Sequence, residues 1–297
     1  MRIIMLGTGA ALVDPDRNHS SILVTTGGRH YLLDCGHGAT HQLVRAGIDP
    51  TDVDIVFLSH LHFDHIADFP YFMLSTWIFG RQRTPTVIGP PETDRFVQHL
   101  FAKGAFAKDI EARAQYPQRQ KNFHVLEPVV RACQPGLVYE DDLVRVQACY
   151  VEHIPREISP CFGLRIDAKE GKSVVFSGDT APCERLVELA RDCDLLIHEC
   201  TFPQRAIEFR SKAGIGTWAH TSPLDLGQIA VRSRARALVA THFGHFDTTN
   251  VVLKKHLAAH MPLELVGPEF MEDVVTDIRR SYAGPLHVAR DLMRIDL

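Results

Sequence analysis

The sequence lacks any apolar run long enough to span a bilayer, and its opening, "MRIIMLGTGAALVD", lacks the longer apolar stretch and small-residue cleavage site of a secretory signal. A cytoplasmic protein with no membrane partner is expected. Positive charge is also scarce: a formal net charge of −4 excludes a broadly basic surface, so a phosphate-bearing substrate must be attracted locally, for example by metal ions. No C-x-x-C pair occurs among the seven cysteines, an odd number that argues for reduced thiols rather than a disulfide framework. Three catalytic signatures are missing too. "GTGAAL" has two of the three glycines of a dinucleotide loop, "HECTF" has Phe202 where a zinc-protease helix carries its second histidine, and no G-x-S-x-G elbow occurs.

What is present describes a folded globular protein with a sizeable core: 297 residues, 45% hydrophobic and 23% charged. Short apolar runs end repeatedly in polar turns. "RIIML", "SILVTT", "RHYLLD", "VDIVFLS", "TPTVIG", "DLVRVQACYV", "CFGLRID", "SVVFSGDT", "CDLLIHECTF" and "ARALVATHFGH" read as strands. "FPYFMLSTWIFG" reads as a buried or pocket-lining helix, "ETDRFVQHLFAKGAF" has helical spacing, and "SPLDLGQIAVRSRA" opens with Ser222 as N-cap and Pro223 in the first turn. Residues 105–125 carry the least pattern. With no tandem repeat, the strand-rich halves fit two sheets of one α/β domain over 1–297, with a helical, aromatic pocket-covering region at 69–125 and a C-terminal extension at 247–297. The last stretch, "GPLHVARDLMRIDL", is apolar enough to pack as a terminal strand or helix.

One stretch has no packing rationale. "SHLHFDH" places His60, His62, Asp64 and His65 within six residues, directly after a strand, and imidazoles so crowded repel one another when protonated. Imidazole nitrogen and carboxylate oxygen are ligands of zinc and similar ions. In a loop leaving a strand, His60 and His62 can face one centre while Asp64 and His65 face its neighbour, so the spacing suits two adjacent ions, which need about seven ligands. A departing alkoxide would also need a proton donor of near-neutral pKa, and His220 paired with Glu199 fits that role. Asp64 is further placed to orient or deprotonate the attacking water.

These residues resemble the H-x-H-x-D-H signature of the metallo-β-lactamase superfamily. The resemblance implies an α/β, four-layered αβ/βα sandwich with a binuclear site at one edge. By the same resemblance His60, His62 and His153 hold one ion, Asp64, His65 and His242 hold the other, and Asp179 of "FSGDT" bridges them. Zinc is the first expectation, with manganese or iron(II) as alternatives. Within the superfamily, "MLGTGAALVDPDRNHSSILV", "LLDCGHGATHQL", "LLIHECTF" and "AHTSPLDLGQIA" are similar to the ribonuclease Z branch, a likeness running from residue 2 to about 246. That branch pairs the same two positions, His220 and Glu199, as the leaving-group acid and its carboxylate partner.

Transfer-RNA-processing members carry a long basic arm, commonly between the third histidine and the bridging aspartate. Here Asp179 follows His153 by only 26 positions (179 − 153), and the stretch between reads as strand, turn and strand. The expected reaction is therefore attack of a metal-bridging hydroxide on a small phosphodiester or related ester. A lactone, aryl sulfate or carboxylic ester is the alternative substrate, and transfer-RNA 3′ processing ranks below both, since large RNA loses its electrostatic handle. A homodimer is expected from the family habit. Around the ligands, Asp34 is placed behind the metal site, His198 in the core, and His37 and His245 on the pocket wall or surface. Arg17 and Asn18 are open between a structural turn and a contact to substrate phosphate.

Overall fold

The computed structural model describes residues 1–215, 219–259 and 261–297. Among these, fourteen strands form two seven-stranded sheets. The first holds β1 (Arg2–Gly7), β2 (Ser21–Thr26), β3 (Arg29–Leu33), β4 (Ile55–Phe57), β5 (Thr86–Gly89) and β6 (Val129–Ala132). The second holds β7 (Gly136–Glu140), β8 (Val144–Val151), β9 (Cys161–Ala168), β10 (Ser173–Phe176), β11 (Leu195–Glu199), β12 (Leu238–Thr241) and β13 (Leu286–Val288). The last strand, β14 (Met293–Asp296), returns to the first sheet and pairs antiparallel with β1.

Side-chain alternation along each strand divides the core into layers. Ile3 and Met5 of β1 join Ile22, Val24, Leu33 and Phe57 in a cluster shared with the second sheet. Their neighbours Ile4, Leu6, Leu23, Leu32 and Val56 face the other way, against the helices Ala39–Arg45, Phe69–Phe79 and Thr93–Phe101. On the far side of the second sheet, Leu226 and Ile229 of the helix Pro223–Arg232 and Ile278 of Glu269–Arg279 complete the stack. The result is helices, sheet, sheet, helices, the αβ/βα sandwich expected. Because both faces of these strands are covered, they read as continuous apolar runs rather than alternating ones.

Ser222 caps the helix Pro223–Arg232 by accepting from Asp225 N. The helix Phe69–Phe79 is not a pocket wall. It is apolar on nearly every side, and Phe72, Met73 and Trp77 are buried against the outer face of the first sheet. A helix this apolar is largely covered, and here the covering is core, with Tyr71 and Phe79 left exposed. The C-terminal stretch packs as strands, β13 edging the second sheet and β14 the first. No helix of the described residues is long and apolar enough to cross a membrane.

Candidate metal centre

The functional side chains gather where the strands of the two sheets end. β4 runs into Ser59 and His60, and the backbone is still extended at His62 before it turns into the short helix Phe63–Ile66 that carries Asp64 and His65. The second sheet supplies one residue per strand end: His153 after β8, Asp179 after β10, Glu199 at the end of β11 and His242 after β12. The two halves meet closely at Gly178. An added Cβ there would lie 2.9 Å from Phe162 O and 3.1 Å from Ser59 Cβ, and its φ of +57° is one that glycine adopts freely, so glycine is required before Asp179.

Asp179 sits between two groups. His60, His62, His153 and Asp179 bring one donor atom each within 4.8 Å of one another, and so do Asp64, His65, Asp179 and His242. Asp179 Oδ2 lies 3.6 Å from His153 Nε2 and 3.9 Å from His60 Nε2, while Oδ1 lies 3.4 Å from His65 Nε2 and 3.3 Å from His242 Nε2. His62 Nδ1 is 3.0 Å from His153 Nε2, and Asp64 Oδ2 is 3.3 Å from His242 Nε2. His60 Nε2 and Asp179 Oδ1 are buried without a hydrogen-bond partner. Buried polar atoms are nearly always satisfied, so orphaned donors of this type in this arrangement fit a cation.

The ring nitrogens turned away from the cluster are held. His65 Nδ1–H donates to Asp34 Oδ2 at 2.6 Å, and His153 Nδ1–H to Ala219 O at 2.9 Å. Ser59 Oγ donates to Asp34 at 2.8 Å and accepts from His60 Nδ1 at 3.0 Å. On the other side Thr201 Oγ1 donates to Glu199 at 2.9 Å and accepts from His242 Nδ1, also at 2.9 Å. Glu199 Oε1 takes Thr180 N at 2.9 Å and His220 Nδ1 at 2.8 Å. These bonds set the tautomers that leave lone pairs directed inward. Asp34 and His242 hold φ of +58°, an uncommon backbone state of the kind that functional sites retain.

Electrostatics separates the imidazoles. Burial, reinforced by the charge of His65, lowers the pKa of His60, and burial lowers His62 and His153, which favours the neutral state a metal ligand requires. Burial would raise Asp64, but the His242 hydrogen bond and neighbouring histidines bring it down to about 2. His220 behaves oppositely. Burial opposes its charge, yet Glu199, with Asp179 and Asp64, raises it to about 9.

The cage opens into a cavity of about 420 Å³. His62, Asp64, Asp179, His220 and His242 line one end, and Phe202, Phe246, Leu257 and Met261 supply an apolar wall at the other, with Arg210 over the Phe202 ring at 4.7 Å. No residue of 69–125 lines it, so the aromatic wall expected there comes instead from residues after β11 and β12. His245 lies buried on this wall and His37 on the surface, while His198 is a core histidine bonded to Glu199 O. Arg17 braces Thr8, Ala289 and Asp247, and Asn18 binds Asp291, so both serve structure. Ser59, Thr201 and the wall residues were not singled out in the sequence. A hydroxyl residue beside an assigned histidine or carboxylate was the one available signal.

The architecture is shared with YhfI from Bacillus subtilis, a metallo-β-lactamase fold protein with a TM-score of 0.70, 20% identity and coverage of 99% of this chain and 98% of that one. It is shared equally with the short form of human tRNase Z, with a TM-score of 0.68, 20% identity and coverage of 100% and 99%. The fold and the relatives define a metal-dependent hydrolase of the metallo-β-lactamase superfamily. Ribonuclease Z from Mycobacterium marinum is 31% identical over 269 residues, 82% of this chain and 94% of the relative. A family model described as anti-Pycsar protein Apyc1 matches residues 1–209. The chain belongs to that family, within the ribonuclease Z-like branch.

Proposed function

We propose that the protein is a binuclear metallo-phosphodiesterase acting on a small diester. His60, His62 and His153 would hold one divalent cation, Asp64, His65 and His242 would hold a second, and Asp179 would be shared between them. Bound there, two such ions, zinc first among the candidates, supply Lewis acidity and an activated water. Asp64 orients that water, and His220, its Nδ1 fixed by Glu199, gives a proton from Nε2 to the departing oxygen.

The observation that carries the reading is the Glu199–His220 pair, bonded at 2.8 Å and within 4.8 Å of a ring nitrogen of His242. An alkoxide leaving phosphorus benefits most from an acid placed there, whereas lactones, aryl sulfates and activated carboxylic esters depend on it less. Transfer-RNA processing is the second reading, favoured by the relatives named ribonuclease Z. Against it stands the short span from His153 to Asp179, filled by β9, a turn and β10. A cavity of about 420 Å³ suits a small diester better than folded RNA. The exposed rings of Tyr71 and Phe79 on the helix Phe69–Phe79 support packing between two copies of the chain. Seven free cysteines, six of them buried, suit a reducing compartment.

The test is one substrate panel: bis-p-nitrophenyl phosphate, an aryl sulfate, a homoserine lactone, a β-lactam and a precursor transfer RNA. Hydrolysis of the diester supports the reading, and a dialkyl diester, whose alkoxide needs the proton, should lose turnover in His220→Ala while metal content persists. Lactone or sulfate turnover without diester cleavage, or efficient transfer-RNA cleavage alone, overturns it.

A further inference from the structure

The apolar cavity and the proton donor share a wall. His220 lines the cavity together with Phe202, Phe246, Leu257 and Met261, and the His220 and Phe202 rings meet edge to face at 5.5 Å. Glu199 occupies His220 Nδ1, so Nε2 is the ring nitrogen left to donate. A general acid must lie within hydrogen-bond reach of the oxygen that departs, and that oxygen carries its own substituent one bond away. In an in-line displacement the departing oxygen lies opposite the attacking one, so the substituent that stays on phosphorus points elsewhere.

We infer that the apolar wall of this cavity is a leaving-group subsite: the enzyme releases as the alcohol whichever arm of the diester is apolar or aromatic, and leaves the other arm on the phosphate. The inference rests on the phosphodiesterase reading and deepens it. Its wall is a separate unit of the fold. Phe246, Leu257 and Met261 form a small apolar cluster with Ala206 and Val266, apart from the two main cores and packed with Phe202 and Phe209. The step balances. Water attacks phosphorus, the bond to the cavity-side oxygen breaks with its electron pair on that oxygen, and His220 Nε2 protonates it. The attacking water's proton returns through solvent to His220, so diester and water give one alcohol and one phosphate monoester.

The probe is benzyl methyl phosphate, whose two alkoxides are of similar basicity, so that chemistry alone favours neither product. Phosphorus NMR separates methyl phosphate from benzyl phosphate in a single reaction. The expected result is methyl phosphate with benzyl alcohol in about tenfold excess, the scale on which an apolar pocket discriminates. Phe202→Ala and Met261→Ala should each move that ratio towards one. Because the ratio is internal to each reaction, a partly folded variant still reports it. Equal products, or benzyl phosphate in excess, overturn the subsite while leaving the phosphodiesterase reading intact. Hydrolysis of a lactone or sulfate with neither diester product formed overturns both.

Discussion

In the first sheet three antiparallel pairings, β14 with β1, β1 with β2 and β2 with β3, are followed by three parallel ones through β4 and β5 to β6. The second sheet repeats that order from β7 to β13. The likeness extends to the bonds behind the site. In each half a buried carboxylate, Asp34 or Glu199, accepts from a backbone N–H, from a hydroxyl and from one imidazole, and that hydroxyl, on Ser59 or Thr201, accepts from a second imidazole. The difference lies in the imidazole bonded directly to the carboxylate. His65 belongs to the cage, whereas His220 stands outside both four-residue groups and faces the cavity. On the function proposed above, one local arrangement would fix a ligand in the first half and hold a mobile proton in the second.

Asp179 joins the two groups, so its loss should have the largest effect. Asp179→Ala should release metal, measured by elemental analysis, and lower diester hydrolysis by at least about a thousandfold, as expected when several kcal/mol of transition-state stabilisation go. Retention of both ions would break the shared-residue assignment. Next, Glu199→Gln and His220→Ala should each slow turnover by about 10²- to 10⁴-fold with metal content unchanged. Asp34→Asn should do the reverse and weaken metal binding by about 10- to 100-fold, read by competition with a chromogenic chelator. If Asp34 and Glu199 variants gave the same pattern, the contrast between the halves would be void.

The smallest effect is a titration. In chelated protein the His220 ring should titrate near 9 by NMR, above its ordinary 6.5, and Glu199→Gln should bring the midpoint down. Since the folded value is raised, the stability this charge contributes is complete below 6.5 and is lost as pH rises through about 9. A midpoint that does not move in Glu199→Gln would remove the carboxylate from the proton donor's account.

The halves also differ in how they show themselves in sequence. Four cage residues fall within six positions after β4, and no packing explanation competes with that density. The partners from the second half stand alone, each at the end of a different strand, so His153, Asp179 and His242 needed the family pattern before they could be assigned. Ser59 and Thr201 were hidden because hydroxyl residues serve turns and caps everywhere. The aromatic wall was assigned to the wrong segment: hydrophobicity shows that most of residues 69–80 is covered, but not by what. β13 and β14, of three and four residues, are too short for a period to register.

The return of β14 to the first sheet bears on the order of assembly. Its register sets Arg2 against Asp296 and Met5 against Met293, so the pairing that edges the first sheet spans nearly the whole chain. Contacts of such separation close slowly, because the entropy of a long loop is lost before the pairing returns anything. During synthesis the loop with His60 emerges early, yet the sheet that supports it stays one strand short until residues 293–296 arrive.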